Sequence, residues 1–218
     1  MSASGDGLRV YVSRAGLYLG SERQSVVGLG PDAAKEGYAA SNKNNPNEFL
    51  VPPLVAALRA RRESRQAKVL LFADESTPYR VLIETLFNLA QGGYEHFLLV
   101  GQHAASAELV GLETSAPSKD DAGQIVIIVV NFGYSLHVNN QRVGADCGNG
   151  PQEGMSVPRV GAQLDPVGLG VCLRRWLSTV SVPSVIIVAN PTASLTDVLA
   201  TAETVAIAGA SFGFRVSK

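Results

Sequence analysis

Residues 69–100 read VLLFADESTPYRVLIETLFNLAQGGYEHFLLV, and the fold is decided by this stretch. Its opening, with Lys68 in front, is a short continuous apolar run of the kind a strand buried on both faces shows. The residues DESTP at 74–78 are a turn and a helix entry, with Pro78 near the first helical position, where its missing N–H costs nothing. Tyr79, Leu82, Ile83, Leu86, Phe87 and Ala90 then recur at helical spacing and give one apolar stripe. Gly92 and Gly93 end that helix, and residues 96–101 are apolar enough for a further strand. The stretch therefore reads as strand, turn, amphipathic helix, glycine turn and strand.

Upstream, residues 8–20 (LRVYVSRAGLYLG) alternate apolar and polar side chains on either side of Gly16, which predicts a β-hairpin. Residues 21–47 are rich in Gly, Asn, Ala and Ser and read as a long loop, either mobile or functional. Pro52 and Pro53 suit a helix start, and Leu54, Val55 and Leu58 give that helix an apolar side. Downstream, residues 102–123 are small, polar and charged and read as a linker.

The second half repeats the order. Residues 125–130 and 134–138 flank Gly133 as a hairpin, and 139–163 form a Gly/Pro/Asn-rich loop. Leu169, Cys172, Leu173 and Trp176 make a helix stripe; residues 185–189 are a buried strand; Leu195, Val198, Leu199, Ala202 and Val205 form a second amphipathic helix. Gly209 closes it before a last strand at 212–216. A constant offset of 116 carries Ala73 to Ala189, Asp74 to Asn190, Leu82 to Val198 and Gly93 to Gly209, while an offset of 115 carries Leu54 to Leu169 and Arg59 to Arg174. Equal spacing of strand, turn, helix and closing glycine predicts an α+β protein made of two tandem copies of a small β-hairpin–α–β–α–β domain with mixed sheets, residues 8–101 and 124–218.

Composition sets the outer limits. With 46% hydrophobic and 17% charged residues in 218, the chain can bury a core and is not of the disordered class. A net charge of -1 with 6% aromatic residues offers no basic stripe, so nucleic acid is not an expected partner. No run approaches the ~20 apolar residues of a membrane helix, and the start MSASGDG has neither the charged nor the apolar part of a signal peptide and reads as trimmed. Cys172 lies on an apolar stripe and reads as a buried free thiol; Cys147, in a Gly/Asn-rich loop, reads as exposed. A disulfide between them stays open, because spacing alone does not place two cysteines within bonding distance. His96, His103 and His137 have no metal-ligand spacing with the cysteines, and no metal or other cofactor is expected.

The catalytic signatures are absent. GLYLG joins two strands and is not a phosphate-binding loop, and there is no Gly-x-Ser-x-Gly. Asp74 and Glu75 form a carboxylate pair at a strand end, a place where α/β enzymes keep catalytic groups. An Asp just before a helix is first of all a cap, of the helix or of the turn before it, and the second copy keeps a capping-competent Asn190 with no acid at 191. The chain is therefore expected not to be an enzyme; the alternative is a small-ligand-binding or enzyme domain using Asp74 and Glu75. Arg59, Arg61, Arg62 and Arg65 would suit an anion such as a cell-wall carboxylate or a lipid headgroup, although such a run is ordinarily the solvated face of a helix.

The residues Ala73-Asp74, then Pro78-Tyr79, the amphipathic helix, Gly93 and the strand from Phe97, preceded by VYVSRAGLYLG, resemble the periplasmic domain of the ExbD/TolR biopolymer-transport family. The resemblance covers most of residues 8–101; the second copy has Asn190 for the Asp and Ser194-Leu195 for Pro-Tyr and is degenerate. It implies a non-catalytic periplasmic module of a proton-motive-force-driven transport or motility motor, anchored to the inner membrane by a helix outside this sequence. It also implies motor or stator membrane proteins as partners, with peptidoglycan a further candidate, and Asp74, Pro78 and Tyr79 as contact residues, to which the basic run adds Arg59 and Arg62. Family members associate in pairs, so the two copies are expected to pack as an intrachain pseudo-dimer.

Overall fold

The computed structural model describes residues 7–21, 24–46, 48–61, 68–74, 76–102, 109–115, 125–147, 155–161, 163–179 and 184–214. The chain divides into two compact units, Met1–Ala116 and Pro117–Lys218.

Unit 1 opens with the hairpin β1 (Leu8–Ser13) and β2 (Gly16–Leu19), then α1 (Ala33–Glu36), α2 (Pro52–Ala60), β3 (Val69–Ala73), α3 (Tyr79–Gln91), β4 (His96–Gln102) and β5 (Leu109–Ser115). Its strands lie in the order β2-β1-β3-β4-β5. The two hairpin-like pairs, β1–β2 and β4–β5, are antiparallel, and β1–β3 and β3–β4 are parallel, so the sheet is mixed as expected. Alternation decides the faces. Val10, Val12, Leu17, Leu19, Val69, Leu71, Phe97 and Leu99 are buried, as are Leu54 and Leu58 of α2 and Leu82, Ile83, Leu86 and Leu89 of α3. Each large side chain so buried contributes about 1.5–3 kcal/mol.

One expectation fails here. Residues 109–115 are not linker but the strand β5, paired with β4 from His96↔Ser115 to Gln102↔Leu109. LVGLETS has too little apolar alternation to announce itself, and its order comes from the open edge of β4. The described part of segment 21–47, read as a long loop, carries the short α1 and two isolated bridges. Val27 bridges to Leu17 and Tyr38 to Leu29, and Val27 and Tyr38 are buried.

Unit 2 contains β6 (Ile125–Val130), β7 (Gly133–Val138), the two-residue strands β8 (Gln141–Arg142) and β9 (Val157–Pro158), α4 (Pro166–Leu177), β10 (Ser184–Ala189), α5 (Leu195–Ile207) and β11 (Ser211–Phe214). Here β6 pairs antiparallel with β7 and parallel with β10, and β10 pairs parallel with β11. The α5 stripe is buried at Val198, Leu199, Ala202 and Val205.

Local details repeat between the units. Gly93 (φ 94°) and Gly209 (φ 83°) take the left-handed conformation that ends α3 and α5. The N–H groups of Tyr94 and Ala210 then reach back to the Leu89 and Val205 carbonyls, closing each helix end. Gly16 and Gly133, at φ 136° and 141°, start β2 and β7 where a Cβ would run into the carbonyl oxygens of Val27 and Val157. In both units a returning segment crosses the hairpin at this glycine.

Candidate functional site

The turn singled out in the sequence lies at the carboxyl end of the parallel strand β3. Asp74 N–H extends the β1–β3 pairing by donating to the Val12 carbonyl at 3.2 Å, and Asp74 C=O accepts from Thr77 N–H at 2.8 Å. The Asp74 side chain stays local: Oδ1 accepts from Ser76 N–H at 2.9 Å and from Ser76 Oγ at 2.6 Å. These two bonds to Ser76 hold the carboxyl below its ordinary range. Of the two capping roles, Asp74 fills that of the turn. Pro78, the N-cap of α3, carries no side-chain cap bond. Unit 2 builds the same turn without a charge: Asn190 N–H donates to Val129, Ala193 N–H donates to Asn190 C=O, and Asn190 Oδ1 accepts from Thr192 N–H at 3.0 Å and Thr192 Oγ1 at 2.8 Å. An amide doing the same job is what a turn requires and what a general base does not allow.

The other candidates scatter. Tyr79 is buried in the core at 2% exposure. Pro78 is half-buried beside it. Arg59 is exposed on α2 and donates from Nη2 to the Gln91 carbonyl at 3.2 Å, against the end of α3. Arg62, Arg65 and Glu75 lie outside the described residues. Among the described residues no group of three His, Cys, Asp or Glu could hold a metal, and no helix is long and apolar enough to cross a membrane.

What sequence reading missed is a buried polar network on α3. Glu84 is fully enclosed. Its Oε1 takes Lys43 Nζ at 2.8 Å and Arg80 Nε at 2.6 Å, and its Oε2 accepts from Tyr38 N–H at 2.9 Å. Lys43, with no exposed side chain, also donates to the Glu36 carbonyl at 2.6 Å. Thr85 donates to Val81 C=O, so the 2.6 Å contact between Tyr38 and Thr85 hydroxyls has the tyrosine as donor; burial raises the Tyr38 pKa. One turn on, Asn88 accepts from Val51 N–H and donates to the Phe49 and Glu84 carbonyls, at 2.7, 2.7 and 2.6 Å. The Arg80 guanidinium sits 3.9 Å over the Phe49 ring. A carboxylate held by two cations and a backbone donor, and closed from water, is compensated in place as a structural group. It fastens segment 27–51 to α3. The available signal was spacing: Val81, Glu84, Thr85 and Asn88 fall on one helical arc, and all are buried.

Unit 2 has Ala200 and Thr204 where Glu84 and Asn88 stand, so this fastening is absent there. Instead Cys147 and Cys172 form a disulfide, with Cα atoms 5.4 Å apart, tying the loop after β7 to α4. This corrects both cysteine readings. Cys172 is not a free thiol, and Cys147 is buried at 7% exposure, because the loop folds back through Ser156, whose enclosed hydroxyl donates to Val143 C=O and accepts from Leu136 N–H. No protein-family model, no curated protein and no solved structure matches the chain.

Proposed function

We propose that the chain is a non-catalytic periplasmic module of a proton-motive-force-driven transport or motility apparatus, acting through protein contacts and cell-wall binding. The observation that carries the proposal is the turn after β3, where Ala73-Asp74 and Pro78 stand at the end of a parallel strand and the exposed carboxylate takes its hydrogen bonds, among the described residues, from Ser76 of the same turn. That arrangement suits a recognition surface, with the Asp74 carboxylate occupied in holding its own turn. The Cys147–Cys172 disulfide supports an oxidising compartment such as the periplasm. The shared strand order, the matching Asp74 and Asn190 turns and the paired helix-ending glycines support an origin by tandem duplication, with unit 1 holding the contact surface.

The test is photo-crosslinking in cells from a probe at Ser76, beside Asp74. Capture of an inner-membrane motor protein is the expected result, with capture unchanged by Asp74→Asn. Capture of soluble metabolic proteins alone would overturn the reading, and an activity abolished by Asp74→Asn without loss of stability would favour the enzyme alternative. Pairing of the two units within one chain belongs to the same proposal. NMR relaxation is expected to return one tumbling time for both units, and two independent times would refute the pairing.

A further inference from the structure

The face of the unit 1 sheet opposite its buried side carries an aromatic row. Tyr11 of β1 stands directly across from Tyr18 of β2 and from Phe72 of β3. The Tyr11 and Phe72 rings stack at 4.9 Å with an interplanar angle of 14°. All three are only half-buried, and Arg9, two residues from Tyr11 on the same face, is exposed. Beside them opens a depression of about 520 Å³ lined by Arg9, Tyr11 and Tyr18 together with Leu8, Ser21 and the backbone at Gly7 and Gly20. That volume lies within the range of small-ligand sites.

Unit 2 shows that the sheet does not need these rings. Its registers place Ile128 opposite Ser135 and Val188, with Val126 two residues before Ile128. These are the positions of Tyr11, Tyr18, Phe72 and Arg9. The same strands form there with aliphatic residues and a serine, so the row is a property of unit 1 and not of the architecture.

Half-exposed tyrosines in a row give a large, rigid contact surface that loses little conformational entropy on binding. The C–H face of a pyranose ring lies well on such rings while its hydroxyls reach polar groups at the edge. A guanidinium beside them matches a carboxylate with two parallel hydrogen bonds. Single-stranded nucleic acid would need a cationic groove following several phosphates. Among the described residues Arg9 is the cationic side chain lining this depression, and the chain carries a net charge of -1. We infer that this face binds a carboxylate-bearing glycan, with sugar rings on Tyr11 and Tyr18, the carboxylate on Arg9, and Phe72 fixing the Tyr11 ring. The inference deepens the cell-wall part of the proposed function and rests on that reading only for one of its probes.

The experiment is calorimetric titration of the intact chain with hyaluronan tetrasaccharide, with its uncharged counterpart chitotetraose, with the muramyl disaccharide released from cell wall, and with oligo(dT). Binding of either acidic glycan is expected, and which one binds tells the source. Replacing the row by the unit 2 residues, Tyr11→Ile/Tyr18→Ser/Phe72→Val, should weaken it at least about tenfold with the thermal midpoint kept. Arg9→Gln, on an exposed side chain, should weaken acidic glycans about tenfold and leave chitotetraose unchanged, which keeps the test decisive if the triple variant folds poorly. No binding of either acidic glycan, binding untouched by Arg9→Gln, or binding of oligo(dT) alone would overturn the inference. None of these results bears on crosslinking from Ser76, so the motor-contact reading stands or falls separately.

Discussion

The two units solve one problem by different chemistry. Each has a long segment between its hairpin and its next helix, and each must hold that segment down. Unit 1 does it with Lys43, Arg80 and Glu84 under Tyr38, and with Asn88 under residues 49–51. Unit 2, with Ala200 and Thr204 at the matching helical positions, uses a covalent bond from Cys147 to Cys172 and the enclosed Ser156 hydroxyl. A buried ion pair stabilises only while every partner is present, because each charge has left water. A disulfide acts chiefly by restricting the unfolded chain, and it answers to redox conditions rather than to pH. Two units of one chain can therefore differ in what unfastens them.

The largest effect should come from breaking the unit 1 fastening at its centre. Glu84→Ala leaves Lys43 buried without its carboxylate and should cost about 3–5 kcal/mol. Denaturant unfolding followed by residue-resolved NMR should show the loss in unit 1, and equal loss in both units would break the comparison. Removing the disulfide with Cys147→Ser/Cys172→Ser opens a loop whose ends are 25 residues apart and should cost about 3 kcal/mol, confined to unit 2. Asn88→Ala leaves the Val51 N–H and Phe49 carbonyl without their partner and should cost about 2 kcal/mol.

The smallest effect sharpens the comparison at the shared turn. Asp74→Ala removes two local bonds on an exposed side chain and should cost about 1 kcal/mol, while Asp74→Asn, copying Asn190, should be nearly silent at neutral pH. The sign of the pH effect follows from the lowered carboxyl. The Asp74 contribution is complete above the ordinary value of 3.8 and is lost as pH falls through the lower folded value. An acid titration of stability should therefore show a slightly flatter acid limb for Asp74→Asn, and an unchanged limb would remove Asp74 from the account.

Much of the frame was legible. Period and punctuation placed the hairpin of residues 8–20, the buried strand at 69–73 and the stripe Leu82, Ile83, Leu86 of α3, because each is a local pattern. The turn at Asp74 was legible as a cap, for the same reason. β5 was not, because Leu109 to Ser115 become a strand through pairing with β4 and not through their own alternation. Glu84 and Lys43 were not singled out: they meet across 41 residues, and nothing in either neighbourhood signals the other. The disulfide is the same case, a contact set by tertiary folding between positions whose spacing carries no signal.

Hydrogen exchange on the intact chain, with and without a thiol reductant, tests the central claim most directly. The account predicts that reduction speeds exchange of the amides of β7, β8 and α4 in unit 2, including Leu136, whose N–H donates to the Ser156 hydroxyl of the folded-back loop, and of Val143 just after β8. The amides of Tyr38 and Val51, held by Glu84 and Asn88, should keep their oxidised rates. Faster exchange in both units alike, or no change in unit 2, would contradict two units fastened by separate chemistry.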